Sequence, residues 1–152
     1  MEETRLQAAF VAKFPAFVQW PADAWRNRAS VAICVYRSEA AAAYLRELVT
    51  GELVSGRPIT VATVSGPHQI DGCHVLFLPD RADARLIAAI STRPILTIGV
   101  DRAFLDAGGI IALRRDDRRV RFEVDRTAAD RAGLQLSSQL LRLAVAVHGR
   151  QR

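Results

Sequence analysis

Residues 108–144 read GGIIALRRDDRRVRFEVDRTAADRAGLQLSSQLLRLA, and this stretch decides the fold. Ile110, Ile111 and Leu113 supply one apolar strand. In the next, Val120, Phe122 and Val124 alternate with Arg119, Arg121 and Glu123, the pattern of a strand with one buried and one wet face. Between them, RRDDRR is too charged to bury and suits a turn, so 110–124 reads as a β-hairpin. Gly133 then ends a short helix over Thr127–Ala132, and a last amphipathic helix begins near Ser137. This is a packed α/β corner with no catalytic group in evidence.

Working outward, the chain alternates strands with helices. A first helix spans Thr4 to Trp20, with Leu6, Phe10, Phe14, Phe17 and Val18 at helical spacing. Pro15 should kink or split it, because proline removes a backbone donor, and Pro21 ends it. Val31–Tyr36 is continuously apolar, as in a strand covered on both faces. A helix over Ser38–Val49 follows, with Ser38 as N-cap and Gly51 as stop. Pro58–Val64, His74–Leu78 and Ile95–Val100 are further strands. The helix Ala82–Ile90 lies between the last two, and Ala103–Asp106 forms one more turn. This order predicts a single-domain α/β fold: a mostly parallel sheet with helices on both faces and an antiparallel C-terminal hairpin at its edge.

With 152 residues, 50% of them hydrophobic, the chain is long enough for one domain with a sizeable core. No apolar run reaches the about 18 residues that suggest a membrane span. Formal net charge is +5, and Lys13 is the only lysine. Arginine alongside abundant alanine reads as genome composition. The cations are interspersed with Asp80, Asp83, Asp101, Asp116 and Asp117, whereas nucleic-acid binding calls for a clustered basic face. A weak general attraction to anionic membranes or cell-wall polymers accounts for the same charge.

The residues offer little chemistry of their own. His68, His74 and His148 stand without a second cysteine or histidine at ligand spacing, so no metal is expected. Ser137-Ser138 lacks the G-x-S-x-G elbow and reads as a helix N-cap. There is no phosphate loop and no cofactor motif. Cys34 and Cys73 have apolar neighbours; in a reducing compartment they would be buried thiols, in an exported protein a pair. Trp20 and Trp25 lie around a helix end, where they either cap the core or present a recognition surface. Arg119, Arg121 and Glu123 share the wet side of the hairpin, either as a solvated row or as a partner contact.

Six segments resemble the YfiR family, in the family's order. They are Phe17-Val18-Gln19-Trp20-Pro21, Val54 to Pro58, Gly72 to Phe77, Arg93 to Gly99, Gly108-Gly109 with Arg119 and Arg121 to Val124, and Ala132-Gly133-Leu134 with Ser137-Ser138 and Leu140 to Ala144. The resemblance implies one YfiR-like domain over 1–152, exported to the periplasm. MEETRLQAAF lacks the basic and apolar regions of a secretory signal, so Met1 is expected to be an added start on a mature domain. It further implies a Cys34–Cys73 disulfide. The second cysteine pair of some family members is absent, and redox control through it is absent with it. The implied function is repression of a membrane-anchored diguanylate cyclase, YfiN, which lowers cyclic di-GMP and biofilm formation. An outer-membrane lipoprotein, YfiB, is the implied competitor, and a homodimer the implied assembly. Trp20, Trp25, Arg119, Arg121 and Glu123 are the expected partner contacts.

Two other readings compete. A periplasmic small-ligand-binding sensor would hold its ligand at the carboxyl ends of the parallel strands, near Arg37, Pro79-Asp80 and Asp101. An enzyme is the weakest, since no acid, base and nucleophile can be assembled.

Overall fold

The computed structural model describes residues 2–80 and 83–149. Ten strands and six helices follow one another as α1 (Glu2–Lys13), β1 (Val18–Gln19), β2 (Val31–Tyr36), α2 (Glu39–Val49), β3 (Leu53–Val54), β4 (Arg57–Val64), β5 (Val75–Phe77), α3 (Ala84–Ile90), β6 (Leu96–Gly99), α4 (Arg102–Asp106), β7 (Ile111–Asp116), β8 (Arg119–Asp125), α5 (Arg126–Arg131), β9 (Gln135–Leu136), α6 (Ser138–Leu143) and β10 (Ala146–His148). Eight strands form one sheet in the order β10-β8-β7-β6-β5-β2-β4-β3. Pairing is parallel from β4 through β2, β5 and β6 to β7, and again between β10 and β8. It is antiparallel within the β7–β8 hairpin and between β3 and β4. The predicted α/β class and mostly parallel sheet are the observed ones.

The central strands are apolar on both faces, so both must be covered. Ile33, Val35, Val75, Phe77, Leu96 and Ile98 turn to a layer built by α1, α2, α5 and α6. Cys34, Tyr36, Leu76 and Ala112 turn the other way, to α3 and α4. The helices start where short polar side chains accept an otherwise unpaired N–H. Ser38 accepts from Ala41, Asp83 from Leu86, Asp101 from Phe104, Asp125 from Ala128 and Ser137 from Leu140. Gly99 and Gly109 flank the ring of Phe104 so closely that a Cβ at either would overlap it, which seats α4 on the sheet.

Several boundaries differ from the sequence reading. The first helix does split at its proline: α1 ends at Lys13, and Phe14–Phe17 forms a 3-10 turn with Pro15 in its first positions. Val18-Gln19 then leaves helical geometry altogether and pairs with Leu136-Gln135 as a small antiparallel sheet. Of the helix expected over Ala82–Ile90, Ala82 lies outside the described residues, as does Met1. The charged RRDDRR stretch is mostly ladder: Asp116 pairs with Arg119, and only Asp117-Arg118 turns, with Asp117 at φ 60°. The hairpin does not end the sheet either, because β10 lies against β8 over Glu123–Asp125.

Cys34 and Cys73 are bonded to each other, with Cα atoms 5.9 Å apart, at a sequence separation of 39. The bridge lies in the layer covered by α3 and α4, tying β2 to the turn before β5. Closing a loop of that size in the unfolded chain is worth about 4 kcal/mol on the chain-entropy account. Cys34→Ser should therefore melt well below the oxidised wild type and level with the reduced one. Equal melting of the oxidised and reduced wild type would show that the bridge contributes no stability.

Candidate functional site

The sequence-predicted contact residues fall into two separate neighbourhoods. At the amino end of β5, Trp20 is 7% exposed, and its indole Nε1–H donates to the His74 carbonyl at 3.0 Å. Trp25, half-buried, meets Trp20 edge-on at 5.7 Å and stacks on the His74 ring at 4.3 Å. The Arg57 guanidinium lies 4.1 Å over the Trp25 ring. His74 accepts the Ala32 N–H at Nδ1, 3.0 Å away. Its proton therefore sits on Nε2 and is donated to the Ala24 carbonyl at 2.8 Å. Burial, with Arg28 and Arg57 adding their fields, holds its pKa below the usual 6.5 against the opposing Ala24 bond. Trp20 is thus a core residue with its polar atom satisfied, and Trp25 is the member that reaches the surface.

The second neighbourhood is the hairpin. Arg114 and Arg121 face each other across the ladder, as do Ala112 and Glu123. Glu123 is not on a wet face: it is 5% exposed. Its carboxylate accepts from Arg114 Nη1 at 3.1 Å and meets His148 Nε2 at 2.7 Å. The His148 bond chiefly holds its pKa below the usual 4.5, Arg114 helps, and burial opposes. The alternation in β8 was legible, but β10 was not. Val145-Ala146-Val147 is apolar throughout and shows no period-two alternation, so nothing in the sequence set it apart from the preceding amphipathic helix. Once β10 covers this end of β8, the carboxylate is enclosed and needs both partners.

Arg119 is exposed and Arg121 half-buried. Arg121 Nε lies 3.3 Å from Asp116 Oδ2 yet makes no hydrogen bond. Arg115 pairs with Glu3 at 2.8 Å. Among the described residues, Arg118 and Arg119 have no ion-pair partner. A cleft of about 270 Å³ opens between Phe10, Val120, Phe122 and Leu143, with Arg119 and Arg121 on its rim. A smaller one adjoins it, between Leu6, Val120 and Arg118. Leu143 is 66% exposed and Leu6 39%. This apolar floor with a cationic rim has the make-up of a protein contact.

At the carboxyl ends of the parallel strands, the polar groups serve the fold. Arg37 donates to the Ser65 carbonyl and covers the Tyr36 ring at 4.9 Å. Asp83 accepts from the Tyr36 hydroxyl at 3.0 Å while capping α3, and Asp101 caps α4. The clefts described above lie elsewhere, and among the described residues no convergent polar cluster marks a ligand here.

A profile of the YfiR/HmsC-like family matches residues 4–145. No curated protein sequence gives a match. Among solved structures, the chain resembles the ABC domain in complex with L-Trp from Streptococcus pneumonia, at 10% identity and a TM-score of 0.58, covering 92% of this chain and 60% of that one. A conserved domain protein from Vibrio cholerae is similar at 14% identity and a TM-score of 0.48, over 78% of this chain and 54% of the other. The chain thus spans little more than half the length of either, and the first likeness shows the fold alone.

The lowered pKa of Glu123 gives its pairing a defined acid limit. A carboxylate depressed in the folded state contributes stability that is present above its unfolded pKa and lost as pH falls through the folded value. The melting-temperature gap between wild type and Glu123→Gln should shrink as pH falls below the ordinary 4.5. A gap that persists unchanged to the lowest pH at which both proteins fold would refute the assignment.

Proposed function

The chain belongs to the YfiR/HmsC-like family, and on that premise we propose that it is a periplasmic regulator that binds a membrane-anchored diguanylate cyclase of the YfiN type. By repressing the cyclase it lowers cyclic di-GMP and biofilm formation. The observation that carries this reading is the family match across residues 4–145. The Cys34–Cys73 bridge suits an oxidising compartment. Among the described residues, no helix is long and apolar enough to cross a membrane.

Such a repressor is a ligand that prefers the cyclase's inactive conformation, and its effect can be no larger than that preference in affinity. Arg119, Arg121, Phe10 and Leu143 form the face that makes the contact, with Trp25 as a second anchor. Trp20 and Glu123 act from behind these surfaces by holding them in place. A YfiB-like outer-membrane lipoprotein relieves repression by competing for the same regulator, and the chain works as a homodimer. The role is regulatory rather than catalytic.

Charge reversal at the rim separates contact from folding. Arg119→Glu should leave the unfolding free energy within about 0.5 kcal/mol of wild type, as exposed substitutions do. It should weaken co-purification with the cyclase's periplasmic segment and raise cyclic di-GMP in cells. Unchanged binding and unchanged cyclic di-GMP would remove Arg119 from the contact. No binding by the wild type to any cyclase of the host would end the repressor reading.

A further inference from the structure

We propose that the uncovered edge of β8 at Arg119–Arg121 takes up an extended segment of the regulatory partner as an added strand, one alternating apolar and acidic side chains. This rests on the reading of the chain as a protein-binding regulator and specifies the kind of segment it binds.

The edge is open because β10 is too short to close it. Among the described residues, β10 is the only strand on that side of β8, and its register begins at Glu123. The direction of the free backbone groups follows from two hydrogen bonds. Asp125 N–H donates to the Ile110 carbonyl on the β7 side at 2.8 Å, and Val145 N–H donates from the β10 side to the Phe122 carbonyl at 2.9 Å. Backbone groups alternate in direction along a strand, so Val120 shares the outward orientation of Phe122. Its N–H and C=O therefore point to the open edge, where unpaired ladder groups are a ready template for another strand.

The pleat determines what that strand must carry. Val120 and Phe122 turn to the side of Phe10 and Leu143, over the cleft of about 270 Å³. Arg119 and Arg121 turn to the opposite side. An added strand would thus lay one row of side chains over an apolar floor and the other beside two arginines. Arg119 is exposed and has no ion-pair partner among the described residues, whereas Arg121 is already paired with Asp116, so a carboxylate beside Arg119 fits that second row and a cation does not. The same charges disfavour a second copy of this chain. Two β8 edges paired together would bring Arg119 and Arg121 of one against those of the other.

The probe is a short capped peptide alternating valine and glutamate, titrated onto the purified chain and followed by calorimetry. It should bind, and its lysine-for-glutamate counterpart should bind at least about tenfold more weakly, a difference of 1.4 kcal/mol. A fully N-methylated version, which keeps the side chains and loses the donors, should not bind. Val120→Pro removes an N–H that the ladder does not use, together with a half-buried side chain packed on the core, so the protein should fold with a lowered melting temperature and lose the peptide, while Val120→Ile keeps both. Should the proline variant fail to fold, the N-methylated peptide on wild type decides alone. Equal binding by the lysine peptide, or full binding by the N-methylated one, overturns the proposal. So does self-association of the wild type that Val120→Pro abolishes, since the edge would then belong to a second copy. Peptide binding as described, with cellular cyclic di-GMP indifferent to Val120→Pro, would leave the edge standing and remove the cyclase-regulator reading instead.

Discussion

Strands β2, β5 and β6 carry apolar side chains on both faces, and the rest of the molecule follows from the need to cover both. Ile33 and Val35 point one way while Cys34 and Tyr36 point the other, and all four are nearly inaccessible to solvent. A parallel sheet with this pattern is stable only between two helical layers, so crossover helices must be distributed to opposite sides. The disulfide and the seat of Phe104 on Gly99 and Gly109 lie within this arrangement. The disulfide joins segments 39 residues apart in sequence, whereas the Phe104 seat holds α4 against the two strands that flank it in the chain.

Away from that centre, coverage thins and polar chemistry takes over. At one end of the sheet the hairpin is half shielded by β10, and the shielded half encloses Glu123. A buried carboxylate is costly unless paired and hydrogen-bonded, which explains why Arg114 and His148 converge on it. His148 belongs to the last described strand, so this pairing also fastens the C-terminal end of the fold. The unshielded half, Arg119 to Arg121, has no strand beside it among the described residues and keeps Arg119 exposed next to an apolar cleft. Protection and availability are thus divided along a single strand by the length of β10.

Much of the fold was legible from local chemistry. Five helix starts coincide with a serine or aspartate whose side chain accepts a backbone N–H, and Ser38 and Ser137 were readable as caps. Pro15 split the first helix as a missing donor requires. Apolar runs identified β2, β5 and β6. The site was less legible. Alternation placed Glu123 beside Arg119 and Arg121, which is correct, but alternation reports only which residues share a face. It does not report that β10 would cover one of the three and leave the others open. For Trp20 and Trp25, position near a helix end did not separate the buried ring from the half-exposed one; His74 between them and Arg57 above made that distinction.

The sequence by itself determined the class of fold, the order of its main strands and helices, two of its helix caps and the family resemblance, because these rest on local periodicity, on backbone donors and on motif spacing. The pairing of Cys34 with Cys73 came only through that resemblance. Tertiary structure alone decided that Val18-Gln19 pairs with Gln135-Leu136, that β10 closes over Glu123, and that the edge beside Val120 stays open. Each of these depends on contacts between segments far apart in the chain, and the free energy that selects them is burial and pairing between surfaces, which no single stretch of residues carries.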